Sequence, residues 1–202
     1  SLANNYVRCV FESSKKECFV GTLSGLQHYS ADADRFTDIP LILQDGIIVE
    51  PNVAAIEELS NGDLLVGTAG QGLFKITNTH KGLVGISMEK RIPIPIVNAL
   101  HEDRNGNLWI SAGENGIFRI DRNQQLHCYQ KGANESEYTI SSICETPDKQ
   151  IYIGSLGKGL LKYNPTLDLF EPIIYANHPE LPVKSLLLAT PDEIYIGTDG
   201  YG

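Results

Sequence analysis

Apolar and polar residues alternate along this chain in short runs that are rich in β-branched and aromatic residues. No segment carries the apolar spacing of a helix of useful length. One stretch illustrates the pattern, because it predicts four strands separated by polar or glycine-rich turns: Val97–Glu102, Leu108–Ala112, Ile117–Asp121 and Leu126–Tyr129. The Asn105-Gly106 turn favours a hairpin, since both residues accept the positive φ of a tight turn. The pattern therefore predicts an all-β protein.

The same pattern recurs five times along the chain, the last time incompletely. Its anchor is a small residue that follows two apolar residues, and it stands at Gly21, Gly67, Ser111, Gly154 and Gly197. Successive anchors are 46, 44, 43 and 43 residues apart. A β-branched residue stands fourteen positions before each anchor, at Val7, Val53, Val97, Ile140 and Val183. The small anchors predict that neighbouring strands approach closely at these points.

Four strands in a repeat of about 40 to 50 residues are typical of a β-propeller blade. Leucine-rich repeats are shorter, and helical solenoids need helical patterning. We predict a partial β-propeller over residues 1–202, with four-stranded antiparallel blades at 5–39, 52–88, 97–130 and 140–174 and the first half of a fifth at 183–202. Because the pattern stops within the fifth blade, we expect a fragment of a larger, seven-bladed propeller.

Charge excludes some classes of partner. The 202 residues carry a formal charge of −9, and the longest basic run is Lys15-Lys16. Binding to nucleic acid or to an anionic membrane surface needs concentrated positive charge, so we expect neither. No apolar run approaches the roughly 18 residues of a membrane span, so we expect no membrane insertion by this segment.

The cysteines do not form a recognisable metal site. They stand at Cys9, Cys18, Cys128 and Cys144, without a C-x-x-C pair or a histidine at zinc-finger spacing. We predict that they are small buried residues, and a Cys9–Cys18 disulfide stays open as an alternative. The segment Asp103–Asn107 lacks the spacing of a calcium loop and is interpreted as a turn. We predict no metal site and no cofactor.

One acidic residue recurs beside the first turn of each complete blade, at Glu12, Glu58, Glu102 and Glu145. Paired carboxylates are what a glycosidase needs. A residue that recurs once per blade more often makes a local hydrogen bond in each blade than takes part in a single catalytic reaction. We therefore predict a structural role for this column and no catalytic residue.

The third repeat resembles the two-component regulator propeller repeat. The resemblance rests on the order V-x-x-L-x-E-D-x-x-G-x-L-W-I-[GS], which Val97 to Ser111 supply, followed by Gly116-Ile117. The family aromatic is Trp only at Trp109, which is a departure in the other blades. This family occurs in the sensor regions of bacterial hybrid two-component regulators, so the resemblance implies a periplasmic sensor region of an inner-membrane protein.

Ligand-binding residues are expected on loops, which a rigid scaffold positions. The connectors between blades and the links between second and third strands share one face of a propeller. Aromatic, amide and charged side chains on that face suit a sugar or a protein partner. The candidates are Arg91, Gln71, Glu114, Asn115, Tyr138, Lys158, Tyr175 and His178.

The resemblance implies a non-enzymatic sensor that responds to carbohydrate, with an oligosaccharide as the expected ligand. The parent protein is then expected to form a homodimer and to carry histidine kinase and transcription-regulating functions elsewhere. Two alternatives stay open. One is a propeller that only mediates protein–protein contact or dimerisation, and the other is a propeller glycosidase or polysaccharide lyase.

Overall fold

The computed structural model describes residues 2–89, 91–129, 139–174 and 181–200. In these residues the chain is built almost entirely of antiparallel strands, with one short 3₁₀ turn at Gly113–Asn115. This confirms the predicted all-β class and the four-stranded blades. The strands fall into two compact units, Ser1–Asn98 and Ala99–Gly202.

The first unit holds two blades and a small hairpin between them. Blade 1 consists of β1 (Val7–Glu12), β2 (Cys18–Thr22), β3 (Gly25–Ser30) and β4 (Arg35–Ile39), paired in that order. The hairpin consists of β5 (Leu41–Ile42) and β6 (Ile48–Val49). Blade 2 consists of β7 (Val53–Glu58), β8 (Leu64–Thr68), β9 (Gly72–Thr79) and β10 (Gly82–Ser87).

The second unit holds two blades and a further two-stranded hairpin. Blade 3 consists of β11 (Ala99–Glu102), β12 (Leu108–Ser111), β13 (Ile117–Ile120) and β14 (Leu126–Tyr129). Blade 4 consists of β15 (Thr139–Glu145), β16 (Ile151–Leu156), β17 (Gly159–Asn164) and β18 (Leu169–Ile173). The hairpin pairs β19 (Val183–Thr190) with β20 (Glu193–Thr198). Within each unit the first strands of successive blades lie side by side, as in a β-propeller.

Three anchor glycines lie against the β-branched residue that stands at, or just before, the start of the following first strand. A Cβ on Gly67 would lie 2.5 Å from Cγ1 of Val97, and one on Gly154 would lie 2.5 Å from Cγ1 of Val183. Gly21 stands in the same relation to Val53. The anchor column and the β-branched column are therefore the two sides of one contact, which within each unit packs an anchor against the start of the segment that follows its blade.

Ser111 occupies the corresponding position in blade 3 and makes a different contact. Its Oγ donates a hydrogen bond of 2.9 Å to the backbone oxygen of Ile140, and both residues are buried. A serine is tolerated here because its hydroxyl is satisfied by the backbone of Ile140, the residue that corresponds to the valines facing the anchor glycines. The sequence expectation of close strand approach at small anchors thus holds at each of these positions.

Strand β11 begins two residues later than the sequence pattern predicts. The backbone N–H of Val97 donates to the backbone oxygen of Thr68 at 2.8 Å, within the first unit. Because this backbone N–H bonds to the end of β8, it is not available to pair with β12. The valine side chain is nevertheless fully buried.

The connector after blade 1 contains a short hairpin where the sequence pattern predicts a loop. Strand β5 pairs in parallel with the outer strand β10, matching Leu41 with Gly85. The turn of its hairpin contains Gly46 at φ +87°, and Asp45 Oδ1 accepts the N–H of Ile47 at 3.1 Å. Asp-Gly between apolar residues is a hairpin signal, so this element was within reach of sequence reasoning.

All four cysteines lie in the described residues and are free thiols. The register between β1 and β2 places Cys9 opposite Gly21 and Cys18 opposite Glu12. The two thiols are therefore not cross-strand partners, and the disulfide alternative is not realised. Within the described ranges, no helix has the length and apolarity needed to cross a bilayer.

Candidate functional site

Each blade has two ends with different turns. Because successive strands run antiparallel, the β2–β3 type of link and the connectors between blades emerge at one end, here called the loop end. The links between first and second and between third and fourth strands emerge at the opposite end, here called the turn end. The predicted ligand-binding residues belong to the loop end.

A cleft of about 470 Å³ lies at the loop end of the first unit. Its walls are the β8–β9 link, which includes Gln71, and the connector that follows blade 2. The backbone N–H groups of Gly70 and Gly72 both donate to the backbone oxygen of Pro95, at 3.0 and 2.7 Å. These bonds hold the connector against the link, and the side chain of Gln71 stays exposed.

The other predicted residue in the first unit lies outside the lining of this cleft. Arg91 is exposed, and its backbone N–H donates to the oxygen of Met88 at 2.8 Å. It belongs to the same connector as the cleft wall. The first unit thus contributes one amide to a cleft and one guanidinium to the adjoining connector.

The second unit presents two predicted side chains at its loop end. Asn115 is exposed at the end of the 3₁₀ turn, and Lys158 lies in the β16–β17 link with its N–H 3.3 Å from Ser155 Oγ. The backbone of Glu114 belongs to the 3₁₀ turn. Tyr138, Tyr175 and His178 lie outside the described residues. The ligand-binding role of this set stays a prediction.

Two members of the acidic column bridge successive blades. Glu58 of blade 2 accepts the N–H of Ser14 at 2.6 Å and its hydroxyl at 2.7 Å. Those hydrogen bonds, above all the one from the backbone, lower the pKa of the Glu58 carboxyl. Glu145 of blade 4 accepts the N–H of Arg104 at 3.1 Å with both oxygens.

Glu145 is the more buried of the two bridging carboxylates. Its side chain is 4 % exposed, and Arg104 Nε and His101 Nε2 lie 3.8 and 3.7 Å from Oε2. The recurring acid thus ties the first turn of one blade to the next blade, because a carboxylate satisfies the N–H that the turn leaves open. This geometry supports the structural interpretation of the column over a catalytic one.

The turn Asp103–Asn107 is organised by its own first carboxylate. Asp103 is buried, and its Oδ1 accepts the N–H groups of Asn105 and Asn107 at 2.9 Å each. Its Oδ2 accepts the indole N–H of Trp109 at 2.8 Å. Both oxygens are therefore occupied by donors, which is the arrangement of a turn. The described residues contain no cluster of three or more metal-ligating side chains.

A cluster at the turn end of the second unit was not anticipated from the sequence. The guanidinium carbon of Arg119 lies 5.5, 5.6 and 5.5 Å from the ring centres of Trp109, Tyr129 and Tyr163. Its Nη1 donates to the hydroxyl of Tyr163 and lies 3.4 Å from Asp168 Oδ1. We call these five residues the Arg119 cluster.

Asp168 is the acceptor that completes the Arg119 cluster. The hydroxyls of Tyr129 and Tyr163 each donate to its Oδ1 at 2.6 Å. The hydrogen bond from Tyr129, followed by that from Tyr163, lowers the pKa of the Asp168 carboxyl. Burial, reinforced by the bond to Asp168, raises the pKa of both tyrosine hydroxyls.

Part of this cluster carried a sequence signal. Trp109 and Arg119 are direct cross-strand partners in the β12–β13 hairpin. The link between β12 and β13 could be located from its glycines. Pairing the residues on either side of it, starting with Ser111 and Ile117, places Trp109 opposite Arg119. Tyr163 and Asp168 belong to blade 4, so their arrival at the same point depends on how the two blades pack.

Comparison with protein families gives one match. Residues 92–114 match the family model described as "Two component regulator propeller". These residues span the first two strands of blade 3 with the preceding connector, and the match confirms the resemblance drawn from the repeat. No curated protein matches the chain significantly.

Several solved structures share the fold. The extracellular domain of a hybrid two component system from Bacteroides thetaiotaomicron aligns with 98 % of this chain at 17 % identity and a TM-score of 0.59. Virginiamycin B lyase from Staphylococcus aureus aligns with all of it at 13 % identity and 0.67, over 73 % of the lyase chain. PorZ, a surface component of the type-IX secretion system of Porphyromonas gingivalis, aligns with 98 % at 14 % identity and 0.69, over 31 % of its own length.

At these identities the likeness concerns the fold, and it supports the β-propeller assignment. This chain spans 33 % of the length of the Bacteroides extracellular domain. The lyase shows that the same fold also serves an enzyme. Function therefore has to be argued from the repeat family and from the site.

Proposed function

Because residues 92–114 carry a two component regulator propeller repeat, we propose that this chain is part of the extracytoplasmic sensor region of a hybrid two-component regulator. The proposal places the propeller in the periplasm, as a non-enzymatic module of an inner-membrane protein. The same longer protein would carry the histidine kinase and the transcription-regulating domains and would act as a homodimer. The family match is the observation that carries this proposal.

The loop end is the proposed ligand-binding face. Its rigid support comes from the bonds of Gly70 and Gly72 to Pro95, which hold the connector in place beside the exposed amide of Gln71. An amide both donates and accepts hydrogen bonds, as sugar hydroxyls do. Arg91, Asn115 and Lys158 add further polar groups at the loop ends of their units. These features support an oligosaccharide as the ligand class.

Signal transfer would follow from a difference in affinity. A ligand shifts a sensor between two states only if it binds one of them more tightly. The connectors are suited to this role, because they belong to the loop end and also lead from one blade to the next. Ligand bound to a connector would thus favour one arrangement of the strands that the connector joins.

Calorimetry of the sensor region against oligosaccharides tests the proposal. The panel contains fragments of α- and β-glucans, xylan, mannan and sulfated glycosaminoglycans. We expect one class to bind, and we expect Gln71→Ala or Arg91→Ala to weaken that binding about three- to tenfold for each lost hydrogen bond. Glu12→Gln, at the turn end, is the matched control and should leave affinity unchanged.

Two results would contradict this proposal. Absence of binding to the whole panel, together with a ligand-independent dimer in light scattering, would favour the alternative of a protein-interaction propeller. Turnover of any panel glycan would favour an enzyme instead. The bridging roles of Glu58 and Glu145 argue against that outcome, since each carboxylate already accepts hydrogen bonds from a neighbouring blade.

A further inference from the structure

The second unit contains a cleft of about 560 Å³ at its turn end, opposite the proposed sensing face. Its volume falls in the range of roughly 300 to 1,000 Å³ typical of small-molecule sites. The first turn of blade 3 forms one wall and the two turns of blade 4 form the other. Its polar lining includes Asn105, Asn107, Arg119, Asp148, Gln150 and Asp168.

We propose that this turn-end cleft is a second ligand site, which takes an uncharged polyhydroxylated molecule of the size of a mono- or disaccharide. The proposal is independent of the loop-end site, because different residues at the opposite end of the blades carry it. Three properties of the lining lead to this ligand class.

The first property is the balance of charge. Three aspartates line the cleft together with two cations, Arg119 and Lys149. Arg119 Nη1 lies 3.4 Å from Asp168 Oδ1, and Lys149 Nζ donates to the neutral amide oxygen of Asn105 at 3.1 Å. Three carboxylates against two cations leave a net negative charge in the lining, which disfavours a phosphate or carboxylate ligand.

The second property is the mixture of donors and acceptors. The side-chain amides of Asn107 and Gln150 offer both, and the carboxylates of Asp148 and Asp168 offer acceptors. Asp168 uses Oδ1 for both tyrosine hydroxyls. A hydroxyl group donates and accepts at once, so a polyhydroxylated ligand matches such a lining better than a molecule with donors alone.

The third property is the burial of the rings. Trp109 is 1 % exposed and Tyr163 is 8 % exposed, because each packs against the other rings of the Arg119 cluster. A flat heteroaromatic ligand would find no open ring face to stack on. Arg119 Nε is buried and has no hydrogen-bond partner in the part of the chain that the structure describes.

The chain carries a built-in reporter for this cleft. Trp109 is the only tryptophan among the 202 residues, and it lines the cleft. Its indole N–H and the Arg119 Nε–H give separate signals in ¹⁵N NMR, and its fluorescence reports on the same place. The probes are maltose, cellobiose, xylobiose and mannobiose, with glucuronate and glucose 6-phosphate as charged comparators.

We expect at least one neutral disaccharide to shift both N–H signals of the purified 202-residue chain. Both charged comparators should bind more weakly. Gln150→Ala should weaken the titration about three- to tenfold through the loss of an amide contact, and Gln150→Trp should abolish it by filling the cleft. Glu12→Gln, at the turn end of blade 1, should leave it unchanged.

The outcomes separate this inference from the proposed function. If none of the four disaccharides shifts either signal, or if the shifts persist in Gln150→Trp, the turn-end cleft is not a sugar site. Binding that is lost in Gln71→Ala and kept in both Gln150 variants would overturn the inference while supporting the loop-end sensor. Tighter binding of a charged comparator would overturn the assignment of ligand class.

Discussion

Asp168 shows how much one side chain depends on its neighbours from two blades. It lies after β17, and its carboxyl receives Tyr163 from its own blade and Tyr129 from blade 3. Both hydroxyls point to the same oxygen, beside the guanidinium of Arg119. The carboxylate therefore accepts both tyrosine hydroxyls and also pairs with the guanidinium of Arg119.

Asp168 should make stability depend on pH in the acid range. Its pKa is lowered in the folded protein, chiefly by the hydrogen bond from Tyr129, so folding favours the charged form. The resulting stabilisation is present above the unfolded pKa of about 4 and is lost as pH falls through the folded value. We expect the difference in urea midpoint between wild type and Asp168→Asn to be largest near neutral pH.

That difference should shrink steadily below about pH 4. Asp34→Asn in the corresponding turn of blade 1 is a matched control, because Asp34 accepts a single tyrosine hydroxyl, that of Tyr29. A gap between wild type and Asp168→Asn that stays constant down to pH 2 would contradict the role given to the carboxylate.

At the scale of elements, the contact between a small anchor and the β-branched residue of the following segment explains the strongest columns of the repeat. Gly67 faces Val97, which is fully buried. The absence of a Cβ lets the valine side chain reach the neighbouring strand. Glycine is needed here for close approach and not for its backbone freedom, since Gly67 is not among the residues of positive φ.

Gly67→Ala should lower the free energy of unfolding by about 1 to 3 kcal/mol, because the new methyl group overpacks against Val97. The double variant Gly67→Ala/Val97→Ala should be less destabilised than the sum of its single variants, since the shortened side chain makes room. Urea unfolding of the four proteins measures this coupling.

Ser111→Ala is the comparison at the equivalent position of blade 3. It removes the hydrogen bond to Ile140 without adding a clash, so we expect a loss of about 1 kcal/mol. If the two Gly67 and Val97 effects simply add, the close-packing explanation of the anchor column is wrong.

At the scale of the whole molecule, the side chains at the two ends of the blades differ, within each unit, in how tightly they are bonded. The turn end carries the bridging carboxylates and the Arg119 cluster, which are tightly bonded. The loop end carries Gln71, Arg91 and Asn115 as exposed side chains. Exposed polar residues on a rigid support are the ones expected to serve binding, because they contribute little to folding.

Alanine substitutions should change the free energy of unfolding less at the loop end than at the turn end. We expect Gln71→Ala, Arg91→Ala and Asn115→Ala each to change the free energy of unfolding by no more than about 0.5 kcal/mol. Glu145→Ala, at the turn end, should lose about 2 kcal/mol, because it leaves the N–H of Arg104 without its acceptor and removes the carboxylate that lies 3.8 Å from the Arg104 guanidinium. Comparable losses at both ends would refute this division.

Sequence reasoning succeeded where a signal repeats along the chain. The fold class and the family resemblance are confirmed, and the strands of blade 3 lie within two residues of their predicted bounds. The Asp-Gly hairpin in the first connector was missed although its signal was present. The loop-end residues are untested as a ligand site, and three of them lie outside the described residues.

Periodic apolar positions, turn residues and small anchors are local properties, so they suffice to specify the strands, their order in a blade and the blade as a repeated unit. The Arg119 cluster and its cleft are of another kind. Trp109 and Arg119 face each other across one hairpin, but Tyr163 and Asp168 reach them from residues more than 40 positions away. Such a meeting depends on how two blades pack, and no spacing within either blade encodes it.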